Sequence, residues 1–316
     1  MNIVILDGYL VNPGDLSWSN IEQLGNLTVY DRTPKELVSE RIKDADIALI
    51  NNTFVEKDSI KQAKNLKYIS MLATGFDNVD TEECKKRGIE VSNIPSYGTE
   101  TVAQFTFALL LELCNHVKIQ SDSVLKGEWT NNDKYGYWLK EQYELHGKTM
   151  GIIGYGKIGR KVGEIAKAFG MKVLAYRGEN KAKKYEEEVS LDYLLENSDI
   201  ISLHSNLNEK NKGIINKNTI AKMKKGVKII NVARGGLIVE EDLKEALNSG
   251  YISGAGVDVV SEEPIRENNP LLKAKNIIIT SHIAWTTKEA RQRIIDMATE
   301  NIKSFLNGNT INVVNK

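Results

Sequence analysis

The stretch Thr149-Met150-Gly151-Ile152-Ile153-Gly154-Tyr155-Gly156-Lys157-Ile158-Gly159-Arg160 decides the fold. A short apolar run leads into three glycines spaced Gly154-x-Gly156-x-x-Gly159, and Val162, Ile165, Ala166 and Phe169 follow at helical spacing. Strand, tight turn and helix in that order form the phosphate-binding unit of a dinucleotide fold. Gly154 permits the turn, Gly156 lets the backbone approach a pyrophosphate, and Gly159 lets the helix lie close to its strand. The N–H groups at the helix start, with the helix dipole behind them, hold the anion. A glycine triplet alone also fits a turn that binds nothing. The correct flanks on both sides favour nucleotide binding, with Tyr155, Lys157 and Ile158 as further contacts of the turn.

Downstream, helix-compatible segments separate further strands at Lys172–Tyr176, Asp199–Leu203, Val227–Val232, Ile252–Val257 and Asn276–Thr280. With Thr149–Ile153 they make the six strands of a doubly wound, Rossmann-like sheet. Upstream, Ile3–Leu6, Leu27–Tyr30, Ile47–Ile50, Tyr68–Leu72 and Ile89–Val91 alternate with segments such as Pro34–Ile42, which argues a second parallel α/β sheet, flavodoxin-like. No glycine-rich loop follows its first strand, so this half is not the nucleotide site. The last helix, Thr287 to Phe305, follows the final strand and is expected to return to the first domain. The expected division is a discontinuous substrate domain, 1–98 and 286–316, and a dinucleotide-binding domain, 99–285, with the active site in the cleft between them. Thr99 to His116 reads as one long helix, apolar almost all round and therefore buried, between domains or against a second subunit. Trp129, Tyr135, Tyr137 and Trp138 cluster after it and suit domain or dimer packing.

Composition bounds the function. Lys plus Arg and Asp plus Glu each number 42, so no net charge recruits nucleic acid or an anionic membrane. Cys84 and Cys114 form no close pair and have no metal-ligand spacing, which excludes a disulfide framework and predicts no metal site. Met1-Asn2-Ile3-Val4-Ile5 runs straight into a strand without signal-peptide features, and the apolar stretch near Phe105–Leu113 is too short to span a membrane. A cytoplasmic protein is expected.

The end of the second Rossmann strand reads Leu174-Ala175-Tyr176-Arg177-Gly178, with Arg177 where an acid would bond the ribose of NAD. An arginine there pairs with a 2′-phosphate, and Lys181, Lys183 and Lys184 add positive potential. Arg177 stacked on the adenine of NAD, with Glu179 reaching the ribose, is the other reading; the balance leans to NADP. Three polar residues sit beyond later strands: Arg234, Glu263 and His282. Strand ends of this sheet converge on one crevice. A guanidinium there grips a carboxylate, an imidazole protonates a carbonyl as hydride arrives, and a carboxylate holds the ring and stabilises its charge. Each alone also has a plainer reading, as a loop cap, a surface charge beside Pro264 and a satisfied loop histidine. Beyond the strand Tyr68–Leu72, Ala73-Thr74-Gly75-Phe76 exposes backbone N–H groups at a ligand-binding edge, or is an ordinary strand-to-helix turn.

The chain resembles the D-isomer-specific 2-hydroxyacid dehydrogenases. The resemblance runs through the Gly154–Gly159 turn, Asn231-Val232-Ala233-Arg234-Gly235-Gly236, Gly256-Val257-Asp258-Val259 through Glu263-Pro264, and Ser281-His282-Ile283-Ala284-Trp285. With Leu6-Asp7-Gly8-Tyr9 and Asn12-Pro13-Gly14-Asp15-Leu16-Ser17-Trp18 it is most similar to the glycerate dehydrogenase or hydroxypyruvate reductase branch. The resemblance implies His282 as acid/base, Glu263 as its partner, and Arg234 as the clamp on substrate and carbonyl. It places the substrate carboxylate on Thr74 and Gly75 and the nicotinamide carboxamide on Asp258. Thr101, His204, Ser205, Val232 and Ala233 would line the cofactor, NAD or NADP, and Arg234 and His282 would also face it. The implied reaction is reduction of a small 2-oxo acid, hydroxypyruvate or glyoxylate, by a homodimer. Two rivals share the motifs: 3-phosphoglycerate dehydrogenase, and the dinucleotide-sensing C-terminal binding proteins. Departures from the family pattern are Arg177 for the usual acid, Asn206 for a common proline and Gln104 for a common Glu.

Overall fold

A computed structural model describes residues 1–130, 133–178 and 183–316. Glu179 and Lys181, weighed above beside Arg177, lie outside the described residues. The chain divides into two compact units, Met1–Gly98 with Trp285–Lys316, and Thr99–Ala284. Trp285 falls in the first unit rather than the second, because its indole is buried edge-on against Tyr97 with ring centroids 6.1 Å apart.

The first unit carries five parallel strands, β1 (Asn2–Ile5), β2 (Asn26–Val29), β3 (Ile47–Ile50), β4 (Tyr68–Met71) and β5 (Glu90–Ser92), in the order β2-β1-β3-β4-β5. β3 and β4 are buried along their whole length, as parallel strands covered on both faces must be. The helix Lys288–Leu306 supplies one cover: Ile294, Ile295, Ala298 and Ile302 are buried, and Phe305 stacks on Tyr68 at 4.5 Å. Thr287 starts that helix by accepting the Ala290 N–H. Beyond it, Val313 bridges Ser92 in antiparallel sense, so the following residues extend the β5 edge.

The second unit carries β6 (Thr149–Ile153), β7 (Lys172–Tyr176), β8 (Ile200–Leu203), β9 (Val227–Asn231), β10 (Ile252–Val257) and β11 (Ile277–Ile279). Their order is β7-β6-β8-β9-β10-β11, all parallel. Strand order reverses between β6 and β8, and the crevice beyond their carboxyl ends is where such sheets receive ligands. The long helix expected to reach His116 ends at Asn115. His116 takes the left-handed conformation, φ 52°, while its N–H closes on the Glu112 carbonyl, and a separate helix, Val117–Leu125, begins. Among the clustered aromatics, Tyr135 and Trp138 are exposed, whereas the Tyr137 hydroxyl bonds Ser123 Oγ at 2.6 Å. No helix among the described residues is long and apolar enough to cross a membrane.

Candidate active site

In the second unit the glycine turn is built as its spacing demands, and each glycine has its own reason. Gly154 has φ 97°, and a Cβ on it would come within 2.4 Å of Ser205 N and 2.5 Å of the His204 carbonyl carbon. The turn after β6 therefore lies directly on the end of β8. A Cβ on Gly159 would meet the Gly154 carbonyl oxygen at 2.1 Å, so the helix Lys157–Ala168 sits hard against the turn. Gly156 is different: apart from its own stretch of chain, nothing lies within 4 Å of its Cβ position. It caps the helix without a side-chain hydrogen bond and is exposed together with Lys157. The protein's own packing does not require glycine there. Uncapped first-turn N–H groups approached from an open side fit a dinucleotide pyrophosphate.

The side chains around this turn are mostly turned to packing. Tyr155 is buried, edge-on to Tyr185 at 5.5 Å, which leaves its backbone to the turn, and Ile158 is half-buried. His204 shares a 2.7 Å hydrogen bond with Ser202 Oγ. Burial pushes its pKa down to about 3, so the ring is neutral and adds no charge beside an anion. Val232 is buried and Ala233 half-buried, and the Ala233 N–H donates to Asn231 Oδ1 at 3.0 Å. Thr101 Oγ1 donates to the Ala284 carbonyl at 3.2 Å, tying the helix Thr99–Asn115 to the chain after His282. Arg177 is not a lone cation: it donates to Glu188 Oε1 at 2.9 Å, and Glu188 also accepts the N–H groups of Lys184 and Tyr185. The guanidinium groups of Arg160 and Arg177 and the ammonium of Lys184 each stand 5.6 Å from the Tyr185 ring.

Arg234, Glu263 and His282 follow β9, β10 and β11 respectively. His282 Nδ1 lies 2.6 Å from Glu263 Oε2. The second carboxylate oxygen of Glu263 accepts the Val260 N–H at 3.2 Å. Burial alone would raise the Glu263 pKa, yet the His282 bond and charge, the Val260 N–H and the Arg234 guanidinium together hold it below the ordinary value. With Glu263 ionised, His282 donates from Nδ1 and Nε2 is left for other chemistry. Arg234 also donates to the Ala233 carbonyl at 2.9 Å.

Gly235 explains why these loops stand side by side. A Cβ on it would fall 1.9 Å from the Val260 carbonyl carbon, so the turn carrying Arg234 touches the turn leading to Glu263 backbone to backbone. Three residues that the sequence reading left without this role brace the arrangement. Asn231 Nδ2 donates to the Arg234 carbonyl, and Glu240 accepts both the N–H and the hydroxyl of Ser261. Asp258, 1% exposed, accepts Thr280 Oγ1 and the Ile283 N–H on one oxygen and the Ala284 N–H on the other. Those bonds close the turn in which His282 adopts φ 58°, a conformation unusual for a residue with a Cβ. Asn231 and Asp258 stand inside the quoted motifs, whereas nothing in the sequence marks Glu240.

In the first unit Thr74 and Gly75 follow β4, Thr74 exposed and Gly75 half-buried. Thr74 Oγ1 donates to the Ile94 carbonyl at 2.6 Å, and Asn93 Nδ2 donates to the Thr74 carbonyl at 2.7 Å. Nearby, the buried Asp7 carboxylate gathers the N–H groups of Asn51, Asn52 and Thr53; burial raises its pKa despite those bonds. Among the described residues no group of three or more His, Cys, Asp or Glu side chains is arranged to hold a metal ion.

The family model described as D-isomer specific 2-hydroxyacid dehydrogenase, NAD binding domain, matches residues 107–284. The chain is 51% identical over 325 aligned positions to hydroxypyruvate reductase of Blautia hydrogenotrophica, covering 100% of both chains. It resembles the structure of an acyclic imino acid reductase, Bsp5, in complex with NADPH and D-Arg, with TM-score 0.87, 33% identity, and 99% and 100% of the two chains covered. D-lactate dehydrogenase from Aquifex aeolicus, complexed with NAD and lactic acid, gives TM-score 0.85 and 31% identity over 100% of this chain and 99% of that one.

Proposed function

The chain belongs to the D-isomer specific 2-hydroxyacid dehydrogenase family, NAD(P)-dependent oxidoreductases acting on a CH–OH group, and from that premise we propose that it reduces hydroxypyruvate to the D-2-hydroxy acid, or glyoxylate to the corresponding achiral 2-hydroxy acid. The observation that carries the reading is the 2.6 Å pair of His282 and Glu263, with the Arg234 charge acting on the same carboxylate. The nicotinamide, when bound, supplies the hydride. His282 Nε2 gives a proton to the carbonyl oxygen, while Glu263 keeps the Nδ1 proton in place and stabilises the charged ring. In the reverse direction His282 must be neutral, to accept the proton. Arg234 grips the carbonyl and carboxylate oxygens, and the backbone N–H groups of Thr74 and Gly75 hold the carboxylate.

The turn Gly154–Gly159, with Tyr155, Lys157 and Ile158, holds the pyrophosphate. Thr101, His204, Ser205, Val232 and Ala233 line the cofactor, and Asp258 serves the nicotinamide carboxamide while it holds the His282 turn. NADP is the preferred cofactor in this proposal. Three cations around Tyr185 support that choice, although Glu188 takes up one N–H of Arg177. The substrate domain is the unit containing Thr74, and the dinucleotide domain is the unit containing Gly154. The protein works in the cytoplasm as a homodimer; two free, buried cysteines support a reducing compartment. For the dimer, the support is an apolar groove of Ala108, Leu111 and Ile165 between the helices Thr99–Asn115 and Lys157–Ala168.

The test is a rate assay with NADH or NADPH, each with hydroxypyruvate, glyoxylate or pyruvate, following loss of reduced-nicotinamide absorbance. Fast turnover with hydroxypyruvate or glyoxylate is expected, faster with NADPH. A protein that binds reduced cofactor and turns over none of the three acids refutes the proposal.

A further inference from the structure

We propose that the segment after the last helix positions the carboxylate-binding turn through a relay of three asparagines, Asn312, Asn301 and Asn93. The inference rests on the reading of Thr74–Gly75 as that turn. Asn301 lies on the helix Lys288–Leu306 and is wholly buried, a costly place for an amide unless both its ends are bonded. Both ends are: Asn301 Oδ1 accepts Asn312 Nδ2 at 2.8 Å, and Asn301 Nδ2 donates to the Asn93 carbonyl at 3.0 Å. Asn93 in turn donates its N–H to the Asn312 carbonyl at 3.1 Å and its side-chain Nδ2 to the Thr74 carbonyl at 2.7 Å.

The last of these bonds gives the relay a functional end. The Thr74 carbonyl and the Gly75 N–H are the two edges of one planar trans peptide. A donor fixed on the carbonyl stops that plane from rotating and so aims the N–H. It also polarises the amide, which strengthens the N–H as a donor to a carboxylate. The rest of the turn is stapled to the same neighbour, because Thr74 Oγ1 donates to the Ile94 carbonyl and the Ile94 N–H donates to the Ala73 carbonyl at 2.9 Å.

The far end of the relay is held as firmly. Asn312 takes φ 55°, the left-handed conformation that asparagine tolerates better than most residues. Around it, Ser92 Oγ donates to the Ile311 carbonyl at 2.7 Å, the Val314 N–H to the Val91 carbonyl at 2.8 Å, and the Val91 N–H to Asn315 Oδ1 at 2.9 Å. A tail needed only to cover the β5 edge would require the backbone pairing and no chain of amides leading to Thr74. Asn93, Asn301 and Asn312 act as positioning residues; none is assigned a contact with substrate or cofactor.

The experiment compares Asn93→Ala and Asn312→Ala with the unaltered enzyme, measuring KM for the 2-oxo acid, KM for reduced cofactor, kcat and Tm. Asn93→Ala is expected to raise the KM of the 2-oxo acid about fivefold or more, the worth of one hydrogen bond, while the cofactor KM stays within twofold. Asn312→Ala, at an exposed residue, is expected to move KM the same way by less. An unchanged substrate KM in both variants overturns the relay, as does a fall in Tm and kcat with no change in KM. If Asn93→Ala fails to fold, Asn312→Ala decides alone. Gly75→Val, which crowds the N–H itself, separates the two levels. A raised KM there with normal Asn93→Ala and Asn312→Ala variants refutes the relay only; an unchanged KM in Gly75→Val refutes the carboxylate-binding reading and the relay with it.

Discussion

Replacing Gly235 by alanine would test whether the turns carrying Arg234 and Glu263 depend on each other. The new methyl would stand 1.9 Å from the Val260 carbonyl carbon, 2.0 Å from its oxygen and 2.4 Å from Ser261 N. These are backbone atoms, so no side-chain rotation relieves the overlap. To reach ordinary carbon contact of roughly 3.5 Å, the two turns must part by about 1.5 Å. A displacement of about 1 Å in a reacting group costs on the order of 100-fold in rate. Catalytic efficiency should therefore fall at least 100-fold, about 2.7 kcal/mol in the barrier. Overpacking of this kind costs about 1–3 kcal/mol of stability, so the variant should remain folded with a lowered Tm. The Gly154–Gly159 turn is built by other contacts, and cofactor affinity, read by fluorescence titration, should stay near that of the unaltered protein. Gly235→Ala with activity within threefold of the starting enzyme and an unchanged Tm would refute the reasoning.

His282→Ala should lose about 10³-fold in kcat, the usual worth of a general acid, with cofactor affinity almost unchanged; near-full turnover would remove His282 from the mechanism. The neutral His204 makes stability depend on pH in a definite direction. Its folded pKa of about 3 lies below the ordinary 6.5, so the unfolded chain takes up the proton first and stability falls as pH drops from about 6.5 toward 3. Urea midpoints at pH 7 and pH 5 should show this fall in the unaltered protein and a smaller one in His204→Gln; equal slopes would contradict it. Arg177→Ala should cut the ratio of NADPH to NADH efficiency by about tenfold, as expected for a lost charged hydrogen bond to phosphate. A ratio that does not move would return the adenine end to NAD.

Much of this was legible in the sequence because parallel strands buried on both faces write themselves as short apolar runs. All six strands of the nucleotide sheet fall within one residue of the ends read from those runs. The glycine turn is equally plain, since its spacing states which backbone approaches are tight. What stayed hidden depends on partners distant in sequence. Glu188 closes on Arg177, and Ile283 and Ala284 donate to Asp258 from 25 and 26 residues further on, pairings that no local motif states. The helix break at His116 has no proline or glycine to announce it; a left-handed histidine does the work that composition usually assigns to glycine. Trp285 changes unit because an aromatic contact with Tyr97, and not the end of a strand, decides where it belongs.

The return of the chain to its first unit also sets a timetable for synthesis. Asn315 bonds the Ile89 carbonyl across 226 residues, and Phe305 covers Tyr68 on a strand made far earlier. The second unit is one continuous stretch of roughly 190 residues, which can close its sheet as soon as it leaves the ribosome. The first unit cannot. At a translation rate of about 5–20 residues per second, its five strands wait roughly 10–40 s with one apolar face bare, so the nascent amino-terminal segment is the part of this protein most in need of a chaperone.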